Sequence, residues 1–123
     1  MKDVSATIQY KNKKYELVFN LNVMEAIQEE YGSVEQWGKM CEPPSPKGEP
    51  CIKALKYGFA AMLNEGIDIS NEENGTNDPI LSLKQVGRIV SGLGIKNAAV
   101  ALNQAVVKST EIDKKNGSST KKK

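Results

Sequence analysis

The sequence contains no histidine. Histidine is the commonest general base, the commonest metal ligand in proteins and the side chain that titrates nearest to neutral pH. Its absence excludes a Ser-His-Asp triad, a Cys-His dyad and an HExxH zinc motif. The only GxG sequence, Gly92-Leu-Gly94, follows a predicted helix and lacks the third glycine of a nucleotide-binding loop. We therefore expect no catalytic residues, no metal site and no cofactor, and a protein that is not an enzyme.

Cysteine and long apolar runs are scarce too. Cys41 and Cys51 are the only cysteines, and they bracket a proline-rich stretch over residues 42–50. Small secreted domains usually carry a larger disulfide framework, so we expect two free thiols in a reducing cytoplasm. Residues 1–20 are too polar for a signal peptide, and no apolar run approaches the ~20 residues that span a bilayer. These absences predict a soluble, cytoplasmic protein without a membrane segment.

Most of the chain has little excess charge of either sign. Residues 1–111 hold 12 Lys or Arg and 14 Asp or Glu, whereas residues 112–123 hold five Lys and one Asp. The body is thus poorly suited to holding a phosphate backbone, and nucleic acid is an unlikely partner. The last 12 residues contain one apolar side chain, Ile112. We predict a single globular domain over 1–111 and a disordered basic tail over 112–123.

The chain opens with a pattern of two strands. Apolar and polar residues alternate over 4–10, the polar turn 11–14 follows, and a second alternation covers 15–19, with Val18 on the outer face. This is the pattern of a β-hairpin. An isolated hairpin is marginal in water, so its apolar face is expected to pack on helices.

Five mostly amphipathic helices are predicted after the hairpin, over residues 22–31, 33–40, 51–65, 82–93 and 95–110. Asn22, Ser33 and Ser82 are the expected N-caps, and Gly32 and Gly66 the expected ends of the first and third helices. The acid-rich stretch 64–78 is expected to be a loop. The fold class is therefore α+β, with helices dominating.

The last predicted helix is apolar around most of its circumference, which leaves two interpretations open. It is either central in the core or partly covered by another chain, including a second copy of this one. On the second interpretation, the candidate partner-binding residues are Val100, Gln104, Val107 and Lys108. A third possibility is that the last two helices form a DNA-binding helix-turn-helix. The second helix lacks arginine and is mostly alanine and valine, which disfavours base readout.

Several segments together resemble the small tail assembly chaperones of long-tailed bacteriophages. The segments are KYELVFNLNVMEAIQEEYG (14–32), a short Ser-Val-Glu-Gln-Trp helix, CIKALKYGFAAMLNEG (51–66), SLKQVGRIVSGLG and the Ala/Val-rich last helix. The resemblance covers roughly residues 5 to 110. It implies an α+β fold and a non-enzymatic role, in which the protein binds the tape-measure protein and tail tube subunits. A protein-binding adaptor of another system is the alternative.

Overall fold

In the computed structural model, the described residues are 4–42 and 48–121, with side chains described as far as residue 108. Within these residues two strands come first and five helices follow. In chain order they are β1 (Ala6–Tyr10), β2 (Lys13–Leu17), α1 (Leu21–Tyr31), α2 (Val34–Met40), α3 (Ile52–Asn74), α4 (Leu83–Leu93) and α5 (Ile95–Lys121). The predicted α+β fold, with an N-terminal hairpin followed by helices, is confirmed.

The hairpin is closed by a two-residue turn. β1 and β2 pair antiparallel along their whole lengths. Lys11 and Asn12 form the turn, with φ angles of 50° and 65°. Positive φ at both central residues is the type I′ geometry, whose twist matches that of the paired strands. The four-residue turn predicted over 11–14 is too long, because Lys13 and Lys14 already pair with β1.

The segment after β2 is buried on both of its faces. Val18 is 2% exposed and Phe19 is 7% exposed. The alternating pattern placed Val18 on the outer face, and this prediction is wrong. The backbone N–H of Val18 donates to the carbonyl oxygen of Met62 on α3 at 3.3 Å, so the chain lies against that helix.

α1 begins two residues earlier than predicted. The N-cap is Asn20, whose Oδ1 accepts a hydrogen bond from the Val23 N–H at 3.2 Å. Asn22, the expected cap, lies inside the helix. The side-chain amides of both asparagines donate to Glu65 Oε2, at 2.8 Å from Asn20 and 3.0 Å from Asn22. Gly32, with φ of 93°, ends the helix as predicted.

α3 is longer than predicted because Gly66 does not end it. Gly66 is buried in the helix, and a Cβ atom there would lie 3.1 Å from the carbonyl oxygen of Glu16. Glycine at this position lets the hairpin approach the helix closely. The helix ends at Gly75, whose left-handed φ of 67° is typical of a C-terminal cap. The loop predicted over 64–78 is therefore helical as far as Asn74.

The last two helices are joined by a single residue. Ser82 caps α4 through the predicted capping box, in which the Ser82 and Gln85 side chains each accept a hydrogen bond from the other residue's backbone N–H. Gly94, with φ of 92°, ends α4, and α5 begins at the next residue. Ser33 caps α2 in a similar way, through a 3.0 Å hydrogen bond from the Gln36 N–H.

One hydrophobic cluster joins all seven elements, and α3 lies at its centre. α3 packs against β2 and against each of the other four helices. The side chains that it buries include Ala54, Leu55, Phe59, Met62 and Leu63. Burial of this shared apolar surface is the main stabilising contribution, and it places α2 and α5 beside each other at one end of the fold.

The backbone of α5 is helical through Lys121, over most of the stretch where we predict a disordered tail. Residues 112–121 carry a single apolar residue, and a helix that is polar all round gains little from packing. The tail prediction and the domain boundary at 111 stay predictions. Residues 43–47 of the predicted connector, and residues 122–123, lie outside the described residues.

Candidate functional site

α5 is divided lengthwise between core and surface. Ala98, Ala101, Leu102 and Ala105 are buried, whereas Val100 is 57% exposed and Val107 is 44% exposed. The core interpretation of the apolar helix therefore holds for one of its faces, and coverage of the other face by another chain stays a prediction. The alanine-rich face packs on the fold, and the face that carries the two valines is open to solvent.

The four candidate partner-binding residues lie on this open face. Val100, Gln104, Val107 and Lys108 are all exposed, and their spacing of four, three and one residues keeps them on one side of the helix. Three of them, without Val100, line a shallow groove of about 510 Å³ between α5 and the start of β1. We call this the β1–α5 groove, and its lining residues are Ser5, Ala6, Thr7, Asn103, Gln104, Val107 and Lys108.

A second and more apolar depression lies on the other flank of α5. We call it the α2–α5 cleft; its volume is about 480 Å³. Three apolar residues from α2 and its C-terminal cap (Val34, Trp37, Cys41) face three from α5 (Ala99, Leu102, Val106), and Glu35, Gly38, Lys39, Glu42 and Asn103 complete the lining. In each group of three the residues are spaced i, i+3, i+7, the repeat that aligns side chains along one helix face.

Sequence reasoning missed this cleft. The i, i+3, i+7 repeat is visible in both segments, but nothing in the chain order indicates that helices about 60 residues apart lie side by side. Asn103 lines both depressions, so the cleft and the groove meet across α5 and form one surface. Val100 and Val107 are exposed on the open face of α5, which we call the ridge, and Val107 also lines the groove.

Cys41 contributes to the cleft as a small apolar group. Its side chain is 5% exposed, and burial, followed by the nearby Cys51 and Glu42, raises the pKa of its thiol to about 12. A thiol with so high a pKa is protonated at neutral pH and is a weak nucleophile. The cleft therefore offers apolar contact area with a charged rim, which is suited to binding.

The described residues contain no cluster that could hold a metal ion, meaning no group of three or more Cys, Asp or Glu side chains. The carboxylates of Glu25 and Glu29 share the outer face of α1, where both are exposed to solvent.

In the part of the chain that the structure describes, no helix combines the length and apolarity needed to cross a membrane.

The geometry of α4 and α5 differs from that of a DNA-binding helix-turn-helix. Such motifs join their helices by a turn of about three to four residues. Here Gly94 alone separates the two helices. The open face of α5 also presents valines where a recognition helix would present polar groups to base edges.

Comparison of the chain with protein-family models, with curated proteins and with solved structures gave no match.

Proposed function

We propose that this chain is a non-enzymatic tail assembly chaperone of a long-tailed bacteriophage or prophage. In this role it binds the tape-measure protein and tail tube subunits in the cytoplasm of the bacterial host. The observation that carries the proposal is the α2–α5 cleft, an apolar depression that continues onto the exposed valines of α5. The segments that resemble this family support the choice of client.

The shape and chemistry of the surface suit a helical client. An amphipathic helix binds by laying its apolar stripe into a hydrophobic groove, with anchors at i, i+3, i+4 and i+7. The cleft is lined along its length by two such stripes, one from each wall. A tape-measure protein, as a long and largely apolar helical chain, presents many such stripes and needs them covered before assembly.

Charge restricts which client helices fit best. Between residues 79 and 110 the chain has four basic residues and no acidic ones, and two of the basic residues, Lys96 and Lys108, are exposed on α5. They stand beyond Val100 and Val107 at either end of the ridge. A client helix with Asp or Glu on the side that faces α5 is therefore favoured, whereas Lys or Arg suits the side that faces Glu35 and Glu42 of the cleft. Its association rate should fall as salt increases.

An adaptor of another system could use the same surface, and the gene neighbourhood separates the two. A very long reading frame for a helical protein should lie immediately downstream if the client is a tape-measure protein. Its absence would contradict the phage assignment while leaving protein binding open.

The direct test is co-expression of the chain with a fragment of the tape-measure protein, followed by pull-down and titration. Val100→Asp and Val107→Asp each place a charge on the ridge, and each should weaken binding at least about tenfold, or about 1.4 kcal/mol. Leu83→Asp is the matched control, because Leu83 is 53% exposed but lies at the start of α4 and outside both depressions.

Melting temperatures show whether a variant loses binding because it unfolds or because its binding surface is changed. Exposed positions tolerate substitution within about 0.5 kcal/mol, so all three variants should melt close to the parent protein. If Val107→Asp unfolds the domain, Val107 belongs to the core and the interface assignment is wrong. If Leu83→Asp weakens binding as much as the ridge variants, the client binds elsewhere.

A further inference from the structure

The end of α2 lies beside the start of α3. Cys41 is the C-terminal cap of α2 and Cys51 is the N-terminal cap of α3. The backbone N–H of Cys51 donates to the carbonyl oxygen of Met40 at 2.8 Å. That carbonyl belongs to the planar peptide group that joins Met40 to Cys41, so the hydrogen bond brings the backbone of Cys41 beside that of Cys51. Cys41, the next residue along, is thus held close to Cys51, near the separation of about 4.4 to 6.8 Å that a disulfide requires.

The side chains around the two sulfur atoms give a second indication that the thiols lie close together. The hydroxyl of Tyr31, at the end of α1, is buried and has no hydrogen-bond partner among the described residues. Burial raises the pKa of Tyr31, and Cys51 and Cys41 are both among the neighbouring groups that raise it further. The phenol oxygen and both thiols therefore lie within electrostatic reach of one another. A buried polar group without a partner is rare and calls for an explanation.

We propose that Cys41 and Cys51 form a reversible dithiol–disulfide pair, which in its oxidised form ties the end of α2 to the start of α3. Both thiols are free in the structure. The proposal does not depend on the function proposed above, since it rests on the local geometry of the two helix ends.

The chemistry requires an oxidant, and a low-molecular-weight disulfide such as oxidised glutathione supplies it. Cys51 is half-buried, whereas Cys41 is nearly inaccessible, so Cys51 reacts first. Its sulfur attacks one sulfur of the oxidant, the S–S bond breaks, and one thiol leaves with the proton that Cys51 has lost. The product is a mixed disulfide on Cys51.

Cys41 then closes the ring. Its sulfur attacks the sulfur of Cys51, the mixed disulfide breaks, and the second small thiol leaves with the proton of Cys41. Overall the protein loses two electrons and two protons, and one small disulfide becomes two thiols. Because the thiol of Cys41 is protonated at neutral pH, this second step should be the slow one.

Oxidation would act on the α2–α5 cleft, since Cys41 is one of its lining residues. The disulfide would fix the end of the α2 wall to α3, the central helix of the core. The reduced and oxidised forms should therefore differ in how easily the cleft adapts to a bound helix.

The test uses the full chain, first reduced and then treated with an excess of oxidised glutathione. Intact-mass spectrometry should show a monomer lighter by two hydrogens, and both cysteines should resist alkylation until a reductant is added. The melting temperature of the oxidised form should rise by several degrees, because the bridge restricts the unfolded chain. Ring closure should accelerate about tenfold per pH unit between about pH 7 and pH 9, as the thiolate fraction of Cys41 increases.

Two serine variants serve as controls. Cys41→Ser should stop at the mixed disulfide and keep one bound glutathione, whereas Cys51→Ser should remain largely unmodified. Three results would overturn the proposal: a parent protein that stays glutathionylated without closing, one that forms only disulfide-linked dimers, or an oxidised form that melts below the reduced one.

Discussion

Trp37, the one tryptophan of the chain, is fixed by contacts on several sides. Its side chain is 1% exposed, and its indole N–H donates to the carbonyl oxygen of Ala54 at 2.9 Å. Its ring lies near that of Phe19, with centroids 6.4 Å apart and the planes nearly parallel. The ring also covers Gly58, where the absence of a side chain leaves room for it. These contacts of Trp37 hold α2, a helix of seven residues with little stability of its own, on α3.

Gly58→Ala should therefore be destabilising, by about 1 to 3 kcal/mol, even though alanine is the better helix former. The added Cβ would overlap Cζ2 of Trp37, and moving this rigid ring would strain its hydrogen bond to Ala54. Gly38→Ala is the matched control, because a Cβ there meets nothing within 4 Å. It should stabilise the protein by about 0.4 to 1 kcal/mol. Urea unfolding of both variants measures the difference, and a neutral Gly58→Ala would mean that α2 packs more loosely than described.

High pH should destabilise the fold through three buried or partly buried groups. Burial is the largest cause of a raised pKa for Cys41, Tyr31 and Tyr57. The native state then keeps protons that the unfolded state has already lost, so the free energy of unfolding falls as pH rises. The fall should begin near the ordinary thiol value of 9.0 and continue to about 12, the pKa of Cys41.

Urea unfolding at pH values from about 7 upward measures this profile. Cys41→Ala removes the thiol contribution, so its stability should decline less steeply and begin to do so nearer the ordinary tyrosine value of 10.0. An identical alkaline profile in this variant would show that the thiol is not the group responsible.

At the scale of the elements, caps with local signals were predictable and long-range contacts were not. Ser33, Ser82 and Gly32 act as predicted, because an N-cap or C-cap is set by the few residues around it. The sequence predicts a helix end at Gly66, but this glycine is a packing position whose role depends on Glu16, 50 residues earlier in the chain. Local patterns cannot distinguish these two uses of glycine.

Asn22 is the cap that the sequence predicts and Asn20 is the cap in the structure, and substitution distinguishes the two. Asn20→Ala should cost about 1 to 2 kcal/mol, since it removes the cap of α1 and the 2.8 Å hydrogen bond to Glu65. Asn22→Ala removes only an exposed hydrogen bond to the same carboxylate and should cost less than about 0.5 kcal/mol. Thermal or urea unfolding gives the comparison. The reverse order would restore Asn22 as the cap.

At the scale of the whole molecule, the position of α5 determines which of its apolar residues are buried and which are exposed. Helical spacing alone places the four candidate residues on one face of α5, but the sequence left open whether that face is buried or exposed. It could not predict the α2–α5 cleft, since α2 and α5 are distant in the chain and both pack on α3. The charges are also separated: residues 20–42 hold five acidic residues and one basic one, opposite in sign to the stretch that forms α4 and the start of α5.

A single core that includes every element should unfold in one cooperative transition. Trp37 fluorescence reports packing between α2 and α3, whereas circular dichroism reports all helices together. The two urea curves should coincide, with a slope in the range of about 1 to 3 kcal/mol per M. A fluorescence transition at distinctly lower urea than the loss of helix would show that α2 detaches before the rest.

The single residue between α4 and α5 has a mechanical consequence. A joint of one glycine contains no spare length, so tension applied along α5 reaches α4 without first straightening a linker. α4 in turn packs on α3, and the chain just before α4 is tied to α3 by two hydrogen bonds between the side chain of Asn64 and the backbone of Leu81. A force that a bound client exerts along α5 would therefore be transmitted to α3, the central helix. The α5 wall of the cleft and α4 would then move together.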